Sequence, residues 1–354
     1  HLDRLVEIFN VCWPMYAAMP AIMKDSIERA YAKAGWDLEK STNKYDNELF
    51  PTFTDVFGEI KEVLNESDYS DDNKGDYTGS LVTRIKSLTN GINGLIFTTD
   101  DISDEELFDR NVIVDLSRVG STETKSLIMG LLILKMQEYR MEKAEPNSAL
   151  KHITLLEEAH NILKRTSTEQ STEGANLLGK SVEMLSNAIA EMRTYGEGFI
   201  IVDQAPGLMD MSVIRNTNTK IILRLPDQTD RELVGRAANL NDDQITELAK
   251  LPCGVGAVYQ NEWVQPVLCK IDRVDIDEKP YQYTPEKLDG DYKIDVEVFL
   301  LDYIMERGIF RRANKEDLKA IKSRVVHSNL DTQVKCKFMD YLEKDGEEAL
   351  AAFR

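Results

Sequence analysis

The sequence predicts an α/β fold in which a parallel sheet is preceded and followed by helical segments. Short apolar runs alternate with long helical patterns in the middle of the chain, at Asn111–Leu116, Ile153–Leu156 and Phe199–Val202. Such runs are typical of buried strands, and strands that alternate with helices form βαβ units whose strands lie parallel. A length of 354 residues with 42% hydrophobic residues is sufficient for a sizeable core.

Helical patterns dominate the first hundred residues. Pro20 suits the first turn of a helix and Gly35 suits its end. A second helix is expected over Phe53–Leu64 and a third, shorter one over Leu81–Leu88. The polar stretch Ser67–Gly79 between them is expected to be a mobile loop.

The predicted sheet region continues with helices at Ser121–Met141 and Leu177–Tyr195. A strand at Ile221–Leu225 follows, and Gly254–Tyr259 with Trp263–Ile271 is expected to form a closing hairpin. The chain then becomes helical again, with segments at Val296–Arg307, Lys315–Val325 and Thr332–Leu342. The expected organisation is therefore an acidic helical part over residues 1–110, the α/β core over residues 111–283 and a helical extension over residues 284–354.

Charge is unevenly distributed along the chain. The net charge is −19, from 43 Lys and Arg against 62 Asp and Glu, and about half of the excess lies in residues 41–110. An acidic surface disfavours non-specific coating of DNA, although it is compatible with a local basic groove.

Composition also argues against several classes of protein. The four cysteines form no CxxC pair and the four histidines form no HxxxH pair, so neither a zinc site nor a disulfide framework is expected, in keeping with a reducing cytoplasm. The longest apolar stretch, Leu127–Leu134, is far shorter than the roughly 20 residues that cross a bilayer, so no membrane association is expected. His1 begins inside a helical pattern, which indicates a piece of a longer protein.

Two adjacent carboxylates carry the strongest chemical signal. Glu157 and Glu158 directly follow the apolar run Ile153–Leu156 and should lie at the carboxyl edge of the parallel sheet, where ligands bind. In phosphoryl transfer one such carboxylate holds Mg²⁺ while its neighbour orients or deprotonates the attacking water. The competing interpretation is a strand that simply ends in solvated acids.

Two further polar residues are candidates at the same site. Gln204 follows the strand Phe199–Val202 and could hydrogen-bond a γ-phosphate or the water, or else belong only to a turn before Pro206. Arg193 ends the preceding helix, where it could complement the helix dipole or reach a neighbouring subunit's nucleotide as an arginine finger.

Two Gly/Lys/Ser stretches resemble phosphate-binding loops. Gly120–Ser126 follows a predicted strand, but it lacks the second glycine and carries Glu123, so Ser121 or Thr122 is better interpreted as a helix cap. Gly174–Ser181 matches G-x-x-x-x-G-K-[ST] in full, yet it follows a polar stretch rather than a buried strand. We interpret the second match as accidental. If it were genuine, Asp203 would replace Glu157 as the metal ligand.

Taken together, these segments resemble the C-terminal part of HerA/FtsK-type ATPases, in the HerA-like branch known as DUF87. The resemblance spans roughly residues 5–270 and rests on the segments Asn111–Arg118, Ile153–Asn161, Met192–Gly198, Phe199–Pro206 and Asn216–Leu225. It implies a RecA-like P-loop NTPase fold of the ASCE class, with a helical insertion and a helical C-terminal extension. The family's phosphate-binding Walker A loop would lie upstream, since no credible one precedes residue 111.

The resemblance also implies roles for the candidate residues. Glu157 stands at the Mg²⁺-associated acid, Glu158 at the catalytic base, Gln204 at the sensor and Arg193 at the arginine that acts in trans. The cofactors would be ATP and Mg²⁺, and the catalytic residues would be Glu158, Gln204 and Arg193.

The resulting functional hypothesis is a subunit of a hexameric ring ATPase that translocates along double-stranded DNA, with a nuclease or an anti-phage effector as a candidate partner. One alternative is a HerA-like scaffold that assembles and regulates an effector enzyme, with hydrolysis secondary. Another is a conjugation- or secretion-type ATPase.

Overall fold

The computed structural model describes residues 1–13, 15–98, 102–165, 177–275, 315–328 and 330–345. The chain divides into two compact units: unit 1 comprises residues 1–17 and 103–278, and unit 2 comprises residues 18–102 and 279–354. The expected boundaries at residues 110 and 283 remain a prediction. The expected helix Val296–Arg307 lies outside the described residues, as do residues 174–176 of the second Gly/Lys/Ser stretch.

The helices of unit 1 are, in chain order and in the numbering of the whole molecule, α1 (Leu2–Cys12), α7 (Asp104–Phe108), α8 (Thr122–Lys143), α9 (Leu177–Glu191), α10 (Met211–Asn216), α11 (Gln228–Ala237) and α12 (Asp242–Glu247). Its strands are β3 (His152–Glu157), β4 (Glu197–Val202), β5 (Thr219–Ile222), β6 (Val255–Gln260) and β7 (Val267–Lys270). Short 3₁₀ turns lie at Ala159–Asn161, Met192–Tyr195, Pro206–Leu208 and Leu248–Lys250.

The helices of unit 2 are α2 (Met19–Lys33), α3 (Phe53–Glu66), α4 (Asp71–Tyr77), α5 (Thr83–Leu88), α6 (Gly91–Ile96), α13 (Lys315–Val326) and α14 (Thr332–Asp345). A π-helical turn, Thr78–Val82, joins α4 to α5, and the two-residue strands β1 (Trp36–Asp37) and β2 (Thr42–Asn43) pair antiparallel. No described helix is long and apolar enough to cross a membrane.

The predicted parallel sheet is confirmed for β3 and β4, which run parallel with Leu155 opposite Ile200. The predicted closing hairpin is confirmed as the antiparallel pair β6–β7. β5 pairs antiparallel with β6, so it belongs to this second sheet rather than to a run of parallel strands.

One hydrophobic core of unit 1 lies on one face of β3 and β4. Leu156 from β3 packs there with apolar residues of α1, α8, α9 and α10, among them Val11, Ile133, Leu185 and Val213. The opposite face is open: Ile153, Leu155, Ile200 and Val202 are apolar and exposed.

The expected buried strand at Asn111–Leu116 is not formed. No strand pairing is assigned to these residues, and Ile113 is 94% exposed. An apolar run becomes a strand only when a neighbouring strand supplies hydrogen bonds and a face to pack on. Among the described residues, no strand pairs with Asn111–Leu116.

Two predicted helices are confirmed, and one predicted loop is wrong. The helix predicted over Phe53–Leu64 is confirmed as α3, which Thr52 and Asp55 start with a reciprocal capping box. The helix over Leu177–Tyr195 ends in a 3₁₀ turn closed by Gly196, whose φ of 81° suits glycine. The expectation of a mobile loop at Ser67–Gly79 is wrong, because Ser70 caps α4 within it.

Unit 2 joins the helical insertion to the chain's last helices. Leu49 from the insertion is buried among side chains of α13 and α14, namely Ile321, Val325, Val326, Cys336, Met339 and Leu342. Polar contacts add to this packing: the Tyr45 hydroxyl lies 2.9 Å from Asp340, and the Thr332 hydroxyl donates to Asp55 over 2.7 Å. The two helical segments therefore share one core.

Candidate functional site

The candidate site is built at the carboxyl ends of β3 and β4. The register pairs Glu157 with Val202, the last residue of each strand. Residues that follow Glu157 and Val202 must therefore lie side by side where the two strands end. This arrangement brings Glu158 next to Gln204, whose amide nitrogen lies 3.4 Å from a Glu158 carboxylate oxygen.

The backbone at Glu158 is held in an uncommon conformation. Its φ of 52° and ψ of 44° are left-handed, a region that non-glycine residues adopt rarely and at some energetic cost. Glu158 precedes the tight turn Ala159–Asn161, and its side chain is 49% exposed. The turn directs the chain away from the strand and leaves the carboxylate at the edge of the sheet.

A buried carboxylate that the sequence analysis did not assign to the site lies beneath this edge. The side chain of Asp203 is only 1% exposed and lies 2.8 Å from Nδ1 of His160. The backbone N–H groups of His160 and Ala205 also donate to it, over 2.9 and 2.8 Å. Asp203 thus ties the end of β4 to the turn after β3. A histidine three residues beyond the strand and an acid beside Gln204 were the available sequence signals.

The N-terminal part of α8 also contacts the 3₁₀ turn Ala159–Asn161. The Ser126 hydroxyl is buried and donates to the carbonyl of Asn161 over 2.6 Å and to that of Thr122 over 2.9 Å. The cap predicted for this helix is confirmed, because the Ser121 hydroxyl accepts from the backbone N–H of Thr124. Gly120–Ser126 is accordingly a capped helix start.

The second Gly/Lys/Ser stretch is described only in part. Gly179, Lys180 and Ser181 lie within α9. Ser181 is fully buried, and its hydroxyl donates to the carboxylate of Glu7 on α1. A hydroxyl used in this way is engaged in helix–helix packing, which fits the interpretation of the motif match as accidental.

Arg193 lies apart from the other candidates. It is exposed in the 3₁₀ turn that precedes β4, whereas Glu158 and Gln204 lie beyond the strands' carboxyl ends. Six residues of β4 separate the two edges, which corresponds to roughly 17 Å along the strand. The structure therefore brings Glu157, Glu158 and Gln204 to one edge and leaves Arg193 at the other.

The donor set suits a hard divalent cation that is bound mainly through a substrate. Glu157 and Glu158 are both exposed carboxylates at the sheet edge. Within the described ranges, no group of three or more His, Cys, Asp or Glu side chains is placed to hold a metal. Mg²⁺ is usually held by one or two carboxylates together with water and substrate phosphates, so this pair fits Mg²⁺ better than a metal with a full protein cage.

Known proteins resemble this chain in sequence and in structure. No family model matches the chain. The chain is 22% identical over 273 residues to the DNA double-strand break repair helicase HerA of Sulfurisphaera tokodaii, covering 76% of this chain and 51% of that protein. It is 22% identical over 227 residues to HerA of Saccharolobus solfataricus, covering 63% of this chain and 43% of that one. The chain therefore spans about half the length of the curated relatives it matches.

A solved structure supports the fold. VirB4 of Thermoanaerobacter pseudethanolicus superposes with a TM-score of 0.58 at 14% identity, covering 77% of this chain and 69% of VirB4. At such low identity the superposition is informative about the fold alone. The superposition confirms the expected P-loop NTPase class. Together with the HerA matches, it shows that the chain is similar in sequence and fold to proteins of the HerA/FtsK superfamily.

Proposed function

We propose that this chain carries the hydrolytic half of a nucleotide site in a ring ATPase that moves along double-stranded DNA. The observation that carries the proposal is the meeting of Glu158 and Gln204, 3.4 Å apart, at the carboxyl edge of β3 and β4. Relatives named as DNA repair helicases support a motor acting on DNA.

Each residue at the edge receives a role from its position and chemistry. The exposed Glu158 carboxylate would accept a proton from the attacking water, and the Gln204 amide would orient that water. Glu157 would hold Mg²⁺, through water, and the ion would neutralise charge on the phosphates of ATP.

The phosphate-binding loop is proposed to come from a segment outside residues 1–354. Gly120–Ser126 is a capped helix start, and Ser181 of the second stretch is buried and donates to Glu7 in helix packing. The open apolar face of β3 and β4 offers such a segment a surface to cover.

Arg193 is proposed to act on the nucleotide of a neighbouring subunit. It lies at the far edge of its own sheet, roughly 17 Å along the strand from Glu158, so it does not reach the site of its own chain. A residue that completes the next subunit's site requires a head-to-tail interface, and repetition of that interface closes into a ring, which we propose to be a hexamer.

The direct test is ATP turnover by the complete protein, measured as phosphate release with Mg²⁺ and duplex DNA. We expect hydrolysis that duplex DNA stimulates, and DNA affinity that falls steeply as salt is raised, because phosphate contacts release counterions. Absence of hydrolysis would contradict the ATPase assignment, and salt-independent DNA affinity would contradict a channel that contacts phosphates.

A second candidate function is a scaffold that holds an effector or nuclease partner. The shared core of the insertion and the last helices favours it, because the two segments belong to one folded unit and about half of the chain's excess negative charge lies in residues 41–110. Deleting the last helices would uncover Leu49, so substitution of exposed acids is the better test. Replacing the exposed Asp72 and Asp76 on α4 with Lys should abolish co-purification of such a partner while ATP turnover persists.

A further inference from the structure

Two histidine–carboxylate pairs link β3 to β4, one at each end of the strands. At the amino end, Nδ1 of His152 lies 2.8 Å from Glu197, and at the carboxyl end, Nδ1 of His160 lies 2.8 Å from Asp203. Only the second pair adjoins the residues assigned to hydrolysis. We propose that His160 is a positioning residue that sets Glu158 against Gln204, an inference that rests on the proposed function of this site.

The contacts of Asp203 show how the link works. Its side chain is 1% exposed, so its oxygens are hydrogen-bonded by protein donors rather than by bulk water. One oxygen accepts from both the ring and the backbone N–H of His160, and the other accepts from the backbone N–H of Ala205. Gln204 lies between Asp203 and Ala205 in the chain, so the same carboxylate that binds His160 also fixes the backbone on both sides of Gln204.

The imidazole also lies against the catalytic carboxylate. Nδ1 of His160 is 3.6 Å from an oxygen of Glu158, beyond hydrogen-bonding distance but close enough to limit where that side chain can lie. The side chain of Glu158 is 49% exposed, so about half of its surface faces solvent rather than protein. The ring of His160 therefore occupies the corner between Asp203, Glu158 and the backbone of Gln204.

Because the backbone N–H of His160 also donates to Asp203, loss of the ring leaves one link between the strand ends in place. The fold at this edge should then persist while the side chains of Glu158 and Gln204 lose their relative placement. Small displacements of a general base are costly, since a misplacement of about 1 Å can cost roughly 100-fold in rate.

The test uses three substitutions in the complete protein. H160N keeps an amide nitrogen near the place of Nδ1, H160Q moves its amide away from it, and H160A removes the group. The matched control is H152A, which breaks the equivalent pair with Glu197 at the opposite edge of the same two strands. Turnover of ATP is measured as kcat and KM separately, and folding is monitored by thermal unfolding.

We expect H160A to lower kcat by about 10-fold or more with KM for ATP changed less than about 2-fold, because ground-state binding is untouched. H160N should recover most of the lost kcat and H160Q should not. H152A should lower the unfolding temperature without changing kcat.

Several results would overturn the inference. One is an unchanged kcat in H160A, and another is an H160Q variant at least as active as H160N, a comparison that remains decisive if H160A fails to fold. An equal loss of kcat in H152A would also overturn it, by showing that any weakening of the strand pair has this effect. Wild-type protein that hydrolyses no ATP would overturn the proposed function and this inference with it.

Discussion

The imidazole of His152 and the carboxylate of Glu197 lie 2.8 Å apart where β3 and β4 begin. The Glu197 side chain is fully buried, and Arg140 of α8 donates to its other oxygen over 3.0 Å. The Thr154 hydroxyl donates to the same Glu197 oxygen that His152 contacts, over 2.6 Å. A buried charge with several donors anchors the strand pair at the edge opposite the candidate site.

Replacing Glu197 with Ala should destabilise unit 1 strongly. The change leaves the buried Arg140 guanidinium without its carboxylate at that position, and breaking a buried ion pair typically costs about 3–5 kcal/mol. Asp109 still contacts Arg140, so the lower part of that range is expected. Urea unfolding should show this loss, whereas the exposed E191A on α9 should stay within about 0.5 kcal/mol of wild type.

Glu158→Gln should abolish turnover while preserving ATP binding. The amide has nearly the shape of the carboxylate but does not accept the proton from water, and loss of a general base typically costs about 100-fold or more. Nucleotide binding by calorimetry and phosphate release on the same preparation would measure the two effects. Normal turnover would refute the assignment of the base.

Arg193→Ala should lower turnover, by on the order of 10³-fold if it acts as an arginine finger. Mixing subunits distinguishes action in trans from action in cis. In rings made from equal amounts of R193A and E158Q, roughly a quarter of the interfaces would combine an intact Glu158 with an intact Arg193 from the neighbour. Recovered hydrolysis in the mixture is expected, and its absence would place both residues in one chain's site.

Lys335 should make unit 2 less stable at neutral pH than at alkaline pH. It is almost wholly buried, its ammonium donates to the carbonyl of Val326 over 2.7 Å, and burial lowers its pKa below the ordinary 10.5 while Asp55 opposes the shift. A depressed lysine pKa means that the unfolded chain binds more protons, so stability rises with pH up to about 10.5. The neighbouring Cys336 titrates in the opposite sense, because burial raises its thiol pKa.

Comparison with K335M isolates the lysine. The free energy of unfolding of K335M minus that of wild type should be larger at pH 7 than near pH 11, where the wild-type amine is neutral in the folded state and mostly neutral in the unfolded state. The exposed K337M on the same helix should show no such trend. A difference that is constant with pH would exclude a lowered lysine pKa.

The cysteines should report the unfolding of each unit. Burial raises the pKa of the Cys12 thiol to about 12, so its reactive thiolate is scarce in folded unit 1, and Cys336 is buried in unit 2. Cys253 is exposed. A thiol reagent at pH 8 should modify Cys253 rapidly, a phase that C253S abolishes, and should reach Cys12 and Cys336 only as their units unfold. Rapid labelling of Cys12 in native protein would contradict its burial.

The sequence by itself determined the local parts of this protein. Apolar runs that end in Glu157 and Gln204 predict parallel strands with polar ends, and that pairing is what brings Glu158 to Gln204. The helix cap at Ser121 was equally predictable, because a cap depends on residues only a few positions apart.

Only the tertiary structure decided which distant residues meet. Asp203 and His160 are 43 positions apart, and Leu49 joins the core of the last helices far along the chain. Asn111–Leu116 reads as a strand but has no partner among the described residues. The physical reason is common to all three: burial, pairing and charge compensation depend on what packs against a residue, and periodicity or composition does not encode that neighbour.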